Sequence, residues 1–433
     1  MQINLRFHQF YFMEKSHLYK IFSDPVHGFI NIPKGIILRL IDHPYVQRLR
    51  RIRQLGMGYL VFPGAEHSRF AHALGATGLM QKALTNLREK NTTITNSEYE
   101  ATLIAVLLHD IGHGPFSHSL EHTFISDFHH EKMTLALMYK LNDEFDGALD
   151  TAIKIFTDQY HKPFLHQLVS SQLDIDRLDY LKRDSWYTGV SEGSIGVDRI
   201  IKTMRVHKGH IVVEKKGIYA IENYILARRL MYMQVYLHKT VMGADKLLIA
   251  ILKRVRFLID NNKSPQIHSP SLLYFLTQNL STFKSISDEI IKQYILLEDN
   301  DILLCIKYWQ YSDDSVLADL SKRFLHRNLF RTTFSKKEFS EIEKQNLWTK
   351  TAELLQKKGI TADDNSIPLY LHFDSSNTEA YKYKNESIWI LDGDEKAVEF
   401  SKAADTRNVI ALTKQVIKPY CVHLKGLSLK IPK

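Results

Sequence analysis

The apolar residues of the chain recur mostly at the spacing of amphipathic helices, which predicts a mainly α-helical protein. A first helical region, residues 34–90, is interrupted at Pro63 and Gly64. Residues 97–108 predict a buried helix with Ser97 as its N-cap and Glu100 three residues on. Helical spacing resumes in residues 118–141, 150–159, 163–183, 194–205, 222–262 (as one helix or two) and 263–365.

Short extended segments interrupt this helical pattern. Residues 20–33 predict an extended segment or hairpin, and residues 206–221 predict a hairpin around Glu214–Gly217. Towards its end the chain changes character, because strand-like runs alternate with polar turns: IPLYLHF, SIWILD, NVIAL and KPYCVHL. The simplest partition is a mainly helical core with a small β-hairpin, residues 20–262, followed by a helical and α+β region, residues 263–433.

Composition narrows the class of protein. The chain has 433 residues, of which 44% are hydrophobic and 24% charged, as in ordinary globular proteins. No apolar stretch approaches the roughly 18–20 residues of a membrane span, and no signal peptide is recognisable. Two cysteines, Cys305 and Cys421, leave no disulfide framework or cysteine zinc site. We therefore expect a cytoplasmic protein, and its net charge of +9 suits phosphate-bearing partners.

The stretch LLHDIGHGPFSHSLEH, residues 107–122, concentrates groups that bind metals and transfer protons. His109 and Asp110 follow a buried helix, and Gly112 breaks the turn so that the two side chains can converge. An imidazole and a carboxylate together suit Mn, Fe, Ni, Zn or Mg. Such a pair is more often a surface or capping feature, so a metal site needs further donors from elsewhere in the chain.

Two further segments offer such donors. His72 lies in a helical segment among small residues, although a lone helical histidine is more often a core or surface residue. Asp176, Tyr180 and Asp184 are spaced i, i+4 and i+8 and predict one polar face on an otherwise apolar helix. A solvated helix face is the alternative interpretation of these three residues.

Several motifs in this order resemble one known superfamily. RFAHALG, HDIGHGPFSH and DIDRLDYLKRD, together with DPVHGFI, IDHPYVQRLRRIRQLG, HHEKM and RNLFR, are similar to the HD-domain phosphohydrolases. The resemblance runs from about Lys20 to Arg331 and is strongest to the deoxynucleoside triphosphate triphosphohydrolases, some of which carry a SAM domain that we do not expect before residue 20. It implies an HD-domain helical core with one divalent metal. The implied metal ligands are His72, His109, Asp110 and Asp176.

The resemblance also implies catalytic and substrate-binding roles. Attack on the α-phosphorus would release deoxynucleoside and intact triphosphate, with catalytic residues His113, His118, His130 and Glu131. The residues implied at the phosphates, the sugar and its edge are Gln54, Leu55, Arg69, Arg177, Tyr180 and Asp184.

A second set of substrate-binding candidates comes from helical spacing. Arg228, Tyr232, Tyr236 and Lys239 follow i, i+4, i+8 and i+11, which predicts one helix face with cations for phosphates and rings for stacking. A purely amphipathic core helix would explain the tyrosines but not the two cations.

In some relatives a nucleotide bound between subunits activates the enzyme. The matching positions here are Lys20, Asp42, Gln47, Arg50, Arg327 and Arg331. The resemblance thus implies a GTP or dGTP activator and a homo-oligomer, either a dimer or a tetramer. A solvated helix with ion pairs is the alternative for residues 42–50.

The leading hypothesis is thus a metal-dependent phosphohydrolase that acts on dNTPs. The alternatives are an HD-type nucleotidase acting on other phosphate esters, and a non-catalytic protein that binds nucleotides or nucleic acid. Nucleic acid is the less favoured ligand, because aromatic and basic residues are not concentrated in one patch.

Overall fold

The computed structural model describes residues 19–117, 129–263, 265–278, 286–378, 381, 387–393, 396–404 and 416–427. Its helices are α1 Ile36–Asp42, α2 Pro44–Gln47, α3 Arg69–Glu89, α4 Asn96–Leu108, α5 His130–Glu144, α6 Asp150–Phe156, α7 Pro163–Val169, α8 Ile175–Thr188, α9 Val197–Thr203, α10 Ile218–Met231, α11 Lys239–Asp260, α12 Pro270–Thr277, α13 Asp288–Tyr294, α14 Asp299–Trp309, α15 Ser315–Leu325, α16 Glu341–Gln356 and α17 Phe400–Ala403. Its strands are β1 Tyr19–Asp24, β2 Gly28–Pro33, β3 Met204–His207, β4 His210–Glu214, β5 Arg331–Phe334, β6 Leu371–Thr378, β7 Trp389–Leu391, β8 Ala397–Glu399 and β9 Val416–His423. The prediction of a mainly α fold is confirmed.

The helical core is built around α4, which is buried from Ala101 to its end at Leu108. It packs against α3, and α3 also packs against α8, so three helices meet where the predicted metal ligands lie. The expected cap, Ser97, is wrong. Thr95 and Glu98 form the capping box instead, because each side chain bonds the backbone N–H of the other.

Two predicted long helices are each divided. Residues 163–183 form α7 and the start of α8, and Asp174 caps α8 by accepting from the N–H of Arg177 at 2.7 Å. Asp176 is therefore in the first turn of α8 rather than in the middle of a helix. The segment 222–262 comprises the end of α10, a π-helical turn at Tyr232–Tyr236, and α11.

Small sheets flank the helices. β1 and β2 form the antiparallel hairpin predicted for residues 20–33. The second hairpin, β3–β4, turns at Lys208 and Gly209 rather than at Glu214–Gly217. Both turn residues have positive φ, 49° and 82°, as a two-residue hairpin loop of the primed type requires, whereas Lys215–Gly217 is a 3₁₀ turn that leads into α10.

The chain's later strands join sheets with different partners. β4 pairs in parallel with β7, so a single four-stranded sheet, β3-β4-β7-β8, contains strands from both sides of residue 262. A three-stranded sheet, β5-β9-β6, includes the predicted strand KPYCVHL as part of β9. The run NVIAL lies outside the described residues, and IPLYLHF begins as a 3₁₀ turn before β6. None of the helices in the described part of the chain is long and apolar enough to cross a membrane.

Candidate active site

Three potential metal ligands converge at the junction of α3, α4 and α8. The Nε2 atoms of His72 and His109 lie 3.2 Å apart. Asp176 Oδ1 is 3.1 Å from Nε2 of His72 and 3.4 Å from Nε2 of His109. Both imidazoles are buried, whereas the Asp176 side chain is 26% exposed. The cluster is therefore closed on the histidine side and open to solvent on the carboxylate side.

Both histidine rings are oriented so that their Nε2 atoms can coordinate a cation. Nδ1 of His72 bonds the Asp179 carboxylate at 2.7 Å, and Nδ1 of His109 bonds the carbonyl oxygen of Val106 at 2.6 Å. Because both partners accept hydrogen bonds only, each Nδ1 carries a proton, and each Nε2 is the nitrogen that faces the cluster and whose lone pair a bound cation would take. Two imidazole nitrogens and a carboxylate oxygen in this arrangement fit a divalent transition metal or Mg.

The electrostatic surroundings of the cluster favour positive charge. Burial opposes a charged imidazole, but hydrogen bonds to Asp176 and Asp179 raise the pKa of His72 to about 10. Burial also opposes ionisation of Asp176, yet His109 and His72 hold the pKa of this carboxyl well below its ordinary value. The carboxylates thus stay ionised and stabilise positive charge between the two imidazoles, which suits a bound metal ion.

Asp110, the fourth predicted ligand, lies beside the cluster but has other partners. Its oxygens are 3.4 Å from His109 Nε2 and 3.7 Å from His72 Nε2. One oxygen accepts a hydrogen bond from the Arg69 guanidinium, and the other is 3.2 Å from Nδ1 of His113. Burial opposes ionisation, but Arg69 and His109 hold the pKa of Asp110 well below its ordinary value. Arg69 therefore supports the candidate ligand cluster through Asp110.

A cavity of about 420 Å³ opens beside this cluster. Most of the predicted substrate-binding residues lie on its wall, together with two of the four predicted ligands. The lining residues are Gln54, Leu55, Gly56, Gly58, Arg69, Asp110, His113, Phe116, Ser117, His130, Asp176, Tyr180, Asp184, Tyr232, Val235, Tyr236, Val241 and Asp245. The predicted face of α8 is thus correct, because Asp176, Tyr180 and Asp184 all face this cavity.

The predicted catalytic histidines stack on each other at the cavity wall. The ring of His113 lies 3.8 Å from that of His130 at an angle of 29°, and burial lowers the pKa of His113 well below its ordinary value. Glu131 follows His130 on α5 and is exposed. His118 lies outside the described residues.

The predicted cationic face at residues 228–239 is wrong as a single helix face. The π-helical turn carries Tyr232 and Tyr236 to the cavity, but Lys239 begins a new helix and its Nζ lies 5.9 Å from the ring centre of Phe334. Arg228 is buried 6.0 Å from the Tyr232 ring, and its Nε and Nη1 have no hydrogen-bond partner among the described residues. Helical spacing failed here because it assumes 3.6 residues per turn throughout.

Two other predicted substrate residues have structural partners. Arg177 forms an ion pair with the capping residue Asp174. Asp184 accepts hydrogen bonds from Nε2 of His67 and from the Tyr236 hydroxyl, each at 2.8 Å, so it fixes one wall of the cavity.

Comparison with known proteins identifies the family. Residues 69–184 match the HD domain and residues 195–266 match the HD associated region. A phosphohydrolase from Bacteroides thetaiotaomicron, known from its crystal structure, is 43% identical, covers 94% of this chain and 100% of its own, and superposes with a TM-score of 0.89.

The chain belongs to the HD-domain phosphohydrolases.

Two relatives extend the comparison. Protein YwfO of Bacillus subtilis is 36% identical over 84% of this chain and 81% of its own length. The deoxynucleoside triphosphate triphosphohydrolase SAMHD1 of Danio rerio is 25% identical over 96% of this chain and 72% of its own. The matched HD domain begins at Arg69 and ends at Asp184, so it encloses all four predicted ligands of this phosphohydrolase.

The residues predicted to bind an activating nucleotide lie on the surface or bond to other groups of the protein. Asp42 is exposed at the end of α1, and Arg50 donates to Oε1 of Gln47 at 2.8 Å while lying 3.6 Å over the Phe70 ring. These contacts also suit the alternative of a solvated helix.

The other basic members of that predicted site come from two distant parts of the chain. Lys20 on β1 and Arg331 on β5 are exposed, and Nε of Arg327 donates to the Leu60 carbonyl at 2.7 Å. An activating site at these positions stays a prediction.

Sequence reasoning missed several residues that shape the site. Asp179 binds both His72 and His27, and Asp245 lines the cavity. The signal for Asp179 was present in DIDRLDYLKRD, because a residue three positions after Asp176 shares its helix face. His27 lies in the quoted motif DPVHGFI but has no spacing relation to the cluster.

Proposed function

We propose that the protein hydrolyses dNTPs to deoxynucleosides and inorganic triphosphate. The observation that carries this proposal is the position of the His72, His109 and Asp176 cluster at a tyrosine-lined cavity large enough for a nucleotide. The relatives named deoxynucleoside triphosphate triphosphohydrolases support the same substrate class.

The residues around the cavity have separate roles in the proposed reaction. A divalent cation, when bound by His72, His109, Asp176 and Asp110, supplies Lewis acidity for water and for the phosphoryl group, and Mn, Fe, Ni, Zn or Mg would suit these donors. His113 contacts a phosphate oxygen, and His130, together with Glu131, orients the attacking water. Because both rings are already stacked against each other, little ordering is needed when substrate binds.

Proton transfer and sugar recognition complete the proposed mechanism. His118 protonates the leaving 5′ oxygen, while Glu131 orients His130 and the attacking water. Tyr180 packs against the deoxyribose, and Gln54 and Leu55 close the sugar edge, where a 2′-hydroxyl would need space. Tyr232 and Tyr236, which meet edge to face at 5.1 Å, offer ring surfaces for stacking.

A triphosphate is the favoured substrate because Nε and Nη1 of the buried Arg228 side chain have no hydrogen-bond partner among the described residues. A buried guanidinium without hydrogen-bond acceptors is costly, and phosphate oxygens would satisfy it. Arg177 lies on α8, which packs against the helix of Arg228, and in this proposal it exchanges its ion pair with Asp174 for the same phosphates. Lys239, at the start of α11, lies two positions before Val241 of the cavity wall and would be a further cation for the phosphates.

Replacing Arg228 with alanine is expected to weaken dGTP binding more than dGMP binding. A charge-assisted hydrogen bond contributes about 1.5–3 kcal/mol, so we expect the Kd for dGTP to rise about 10–100-fold. The measurement is equilibrium titration in chelator, which prevents turnover. Arg229→Ala, a neighbour about 100° round the same helix, is the matched control. Equal losses for both nucleotides would remove the argument for a triphosphate substrate.

Product analysis tests the proposed reaction directly. We expect metal-supplemented enzyme to release inorganic triphosphate from a panel of the four dNTPs. Phosphate release from monophosphates alone would favour an HD-type nucleotidase, and tight binding without product would favour a nucleotide-binding protein. The same panel, run with and without GTP or dGTP and followed by size-exclusion chromatography, tests the proposed nucleotide activation and homo-oligomer.

A further inference from the structure

The carboxylate of Asp179 is completely buried and accepts four hydrogen bonds. Oδ2 accepts from Nδ1 of His72 at 2.7 Å and from Nε of Arg183 at 2.8 Å. Oδ1 is 2.7 Å from Nε2 of His27 and accepts from Nη2 of Arg183 at 2.9 Å. A buried carboxylate with this many donors is held in one position, since moving it would break several charge-assisted bonds at once.

We propose that Asp179 is a positioning residue that sets the tautomer and ring orientation of His72, and that the β1–β2 turn holds Asp179 in place through His27 and Arg183. The inference rests on the metal site proposed above. A carboxylate on the far nitrogen of a ligating histidine fixes which nitrogen faces the metal and makes that nitrogen a better donor.

The β1–β2 turn is locked to the same network. Oδ1 of Asp24 accepts from the backbone N–H of Val26 at 2.9 Å and of His27 at 2.8 Å, which shapes the turn. Oδ2 of Asp24 accepts from Nη1 of Arg183 at 2.8 Å. Arg183 therefore clamps the turn and Asp179 together, and the turn presents His27 to the carboxylate.

Helix α3 makes room for this network by carrying glycine one turn after His72. A Cβ atom on Gly75 would lie 2.0 Å from Nη2 of Arg183 and 2.1 Å from Oδ1 of Asp179. Any side chain at this position would therefore displace the carboxylate from the back edge of the His72 ring. The close approach is an observation independent of the hydrogen bonds.

The two ligand histidines differ in what orients them. His109 is held by a backbone carbonyl of its own helix, Val106, whereas His72 depends on a side chain more than 100 positions away. Substitution of Asp179 should therefore affect His72 and leave the orientation of His109 intact.

Metal affinity is the measurement that isolates this role. Mn²⁺ is titrated calorimetrically into the chelator-stripped full chain. We expect Asp179→Asn to raise the Kd about 10–100-fold, as is typical when the partner of a ligating histidine is altered. Asn keeps one acceptor for His72, but its amide hydrogens oppose the Arg183 guanidinium.

A second pair of variants keeps the test usable should Asp179→Asn fail to fold. His27→Ala is expected to raise the Kd for Mn²⁺ about 10-fold, at the lower end of that range, and His27→Gln is expected to restore the native Kd because an amide can donate to Asp179. Equal Kd values for these two variants and the native chain would overturn the role of the turn.

The control is a second aspartate–arginine ion pair, which lies outside the site. Asp319 accepts from Nε of Arg323 four residues on, at 2.5 Å, and from the Tyr370 hydroxyl at 3.0 Å. Asp319→Asn should lower thermal stability without changing the Kd for Mn²⁺. If Asp319→Asn lost as much Mn²⁺ affinity as Asp179→Asn, the loss would be explained by general destabilisation. That result would overturn the inference.

The outcomes separate this inference from the metal site itself. If the native chain binds Mn²⁺, His72→Ala does not, and Asp179→Asn binds as tightly as the native chain, the positioning role is wrong and the metal site stands. If His72→Ala binds Mn²⁺ as the native chain does, the metal site is wrong, and the role of Asp179 falls with it.

Discussion

Asp176→Ala is expected to abolish both metal binding and phosphohydrolase activity while leaving the fold intact. Asp176 offers the oxygen that approaches both His72 and His109, so its loss leaves two imidazoles that cannot hold the metal alone. Substituting a residue that only supports a metal ligand typically lowers metal affinity or activity about 10–100-fold. We therefore expect substitution of the ligand itself to lower both more than about 100-fold. Metal content by mass spectrometry and triphosphate release are the two measurements.

The fold should tolerate this change because Asp176 has no capping role. Asp174 caps α8, and the Asp176 side chain is partly exposed at the cavity. Asp198→Ala is a matched control, since Asp198 also lies in the first turn of a helix but is exposed and pairs with Lys82 at 3.3 Å. Full metal content and activity in Asp176→Ala would contradict the assignment of the whole cluster.

The ligand cluster could be predicted from the sequence, but the structure around it could not. His72, His109 and Asp176 were accessible because their motifs, taken together, resemble those of the HD-domain phosphohydrolases, although each residue alone was a weak signal. The network behind them was not, because Asp179 meets His72 across 107 positions and meets His27 across 152. Such pairings depend on how helices pack, and local spacing carries no information about them.

Local spacing also misled where the backbone departs from a regular helix. The π-helical turn at Tyr232–Tyr236 changes the direction of the side chains that follow it. Lys239 therefore does not lie on the helix face that ideal spacing predicts. The hairpin turn was misplaced for a related reason. Lys208 adopts a positive φ, which propensity assigns to Gly, Asn or Asp rather than to Lys.

Gly112 determines how closely the HD turn approaches α5. A Cβ atom at this position would lie 2.3 Å from the carbonyl oxygen of His130 and 2.3 Å from the backbone nitrogen of Thr134. Because both are backbone atoms of one helix, neither can move aside alone. The glycine is also held from both sides, since its N–H donates to the Thr134 hydroxyl and its carbonyl accepts from the Tyr294 hydroxyl.

Gly112→Ala is therefore expected to push α5 away and separate His130 from His113. We expect a stability loss of about 1–3 kcal/mol, as for other overpacked sites, and a fall in kcat of about 100-fold, since displacements near 1 Å can cost that much. Thermal unfolding and triphosphate release measure the two effects. Gly196→Ala is the control, because the nearest atom to its added Cβ is 3.8 Å away. The added Cβ atom must change the distance between the HD turn and α5, and with it the distance between His113 and His130. A native-like kcat in Gly112→Ala would therefore contradict the role of the stacked histidine pair in setting the rate.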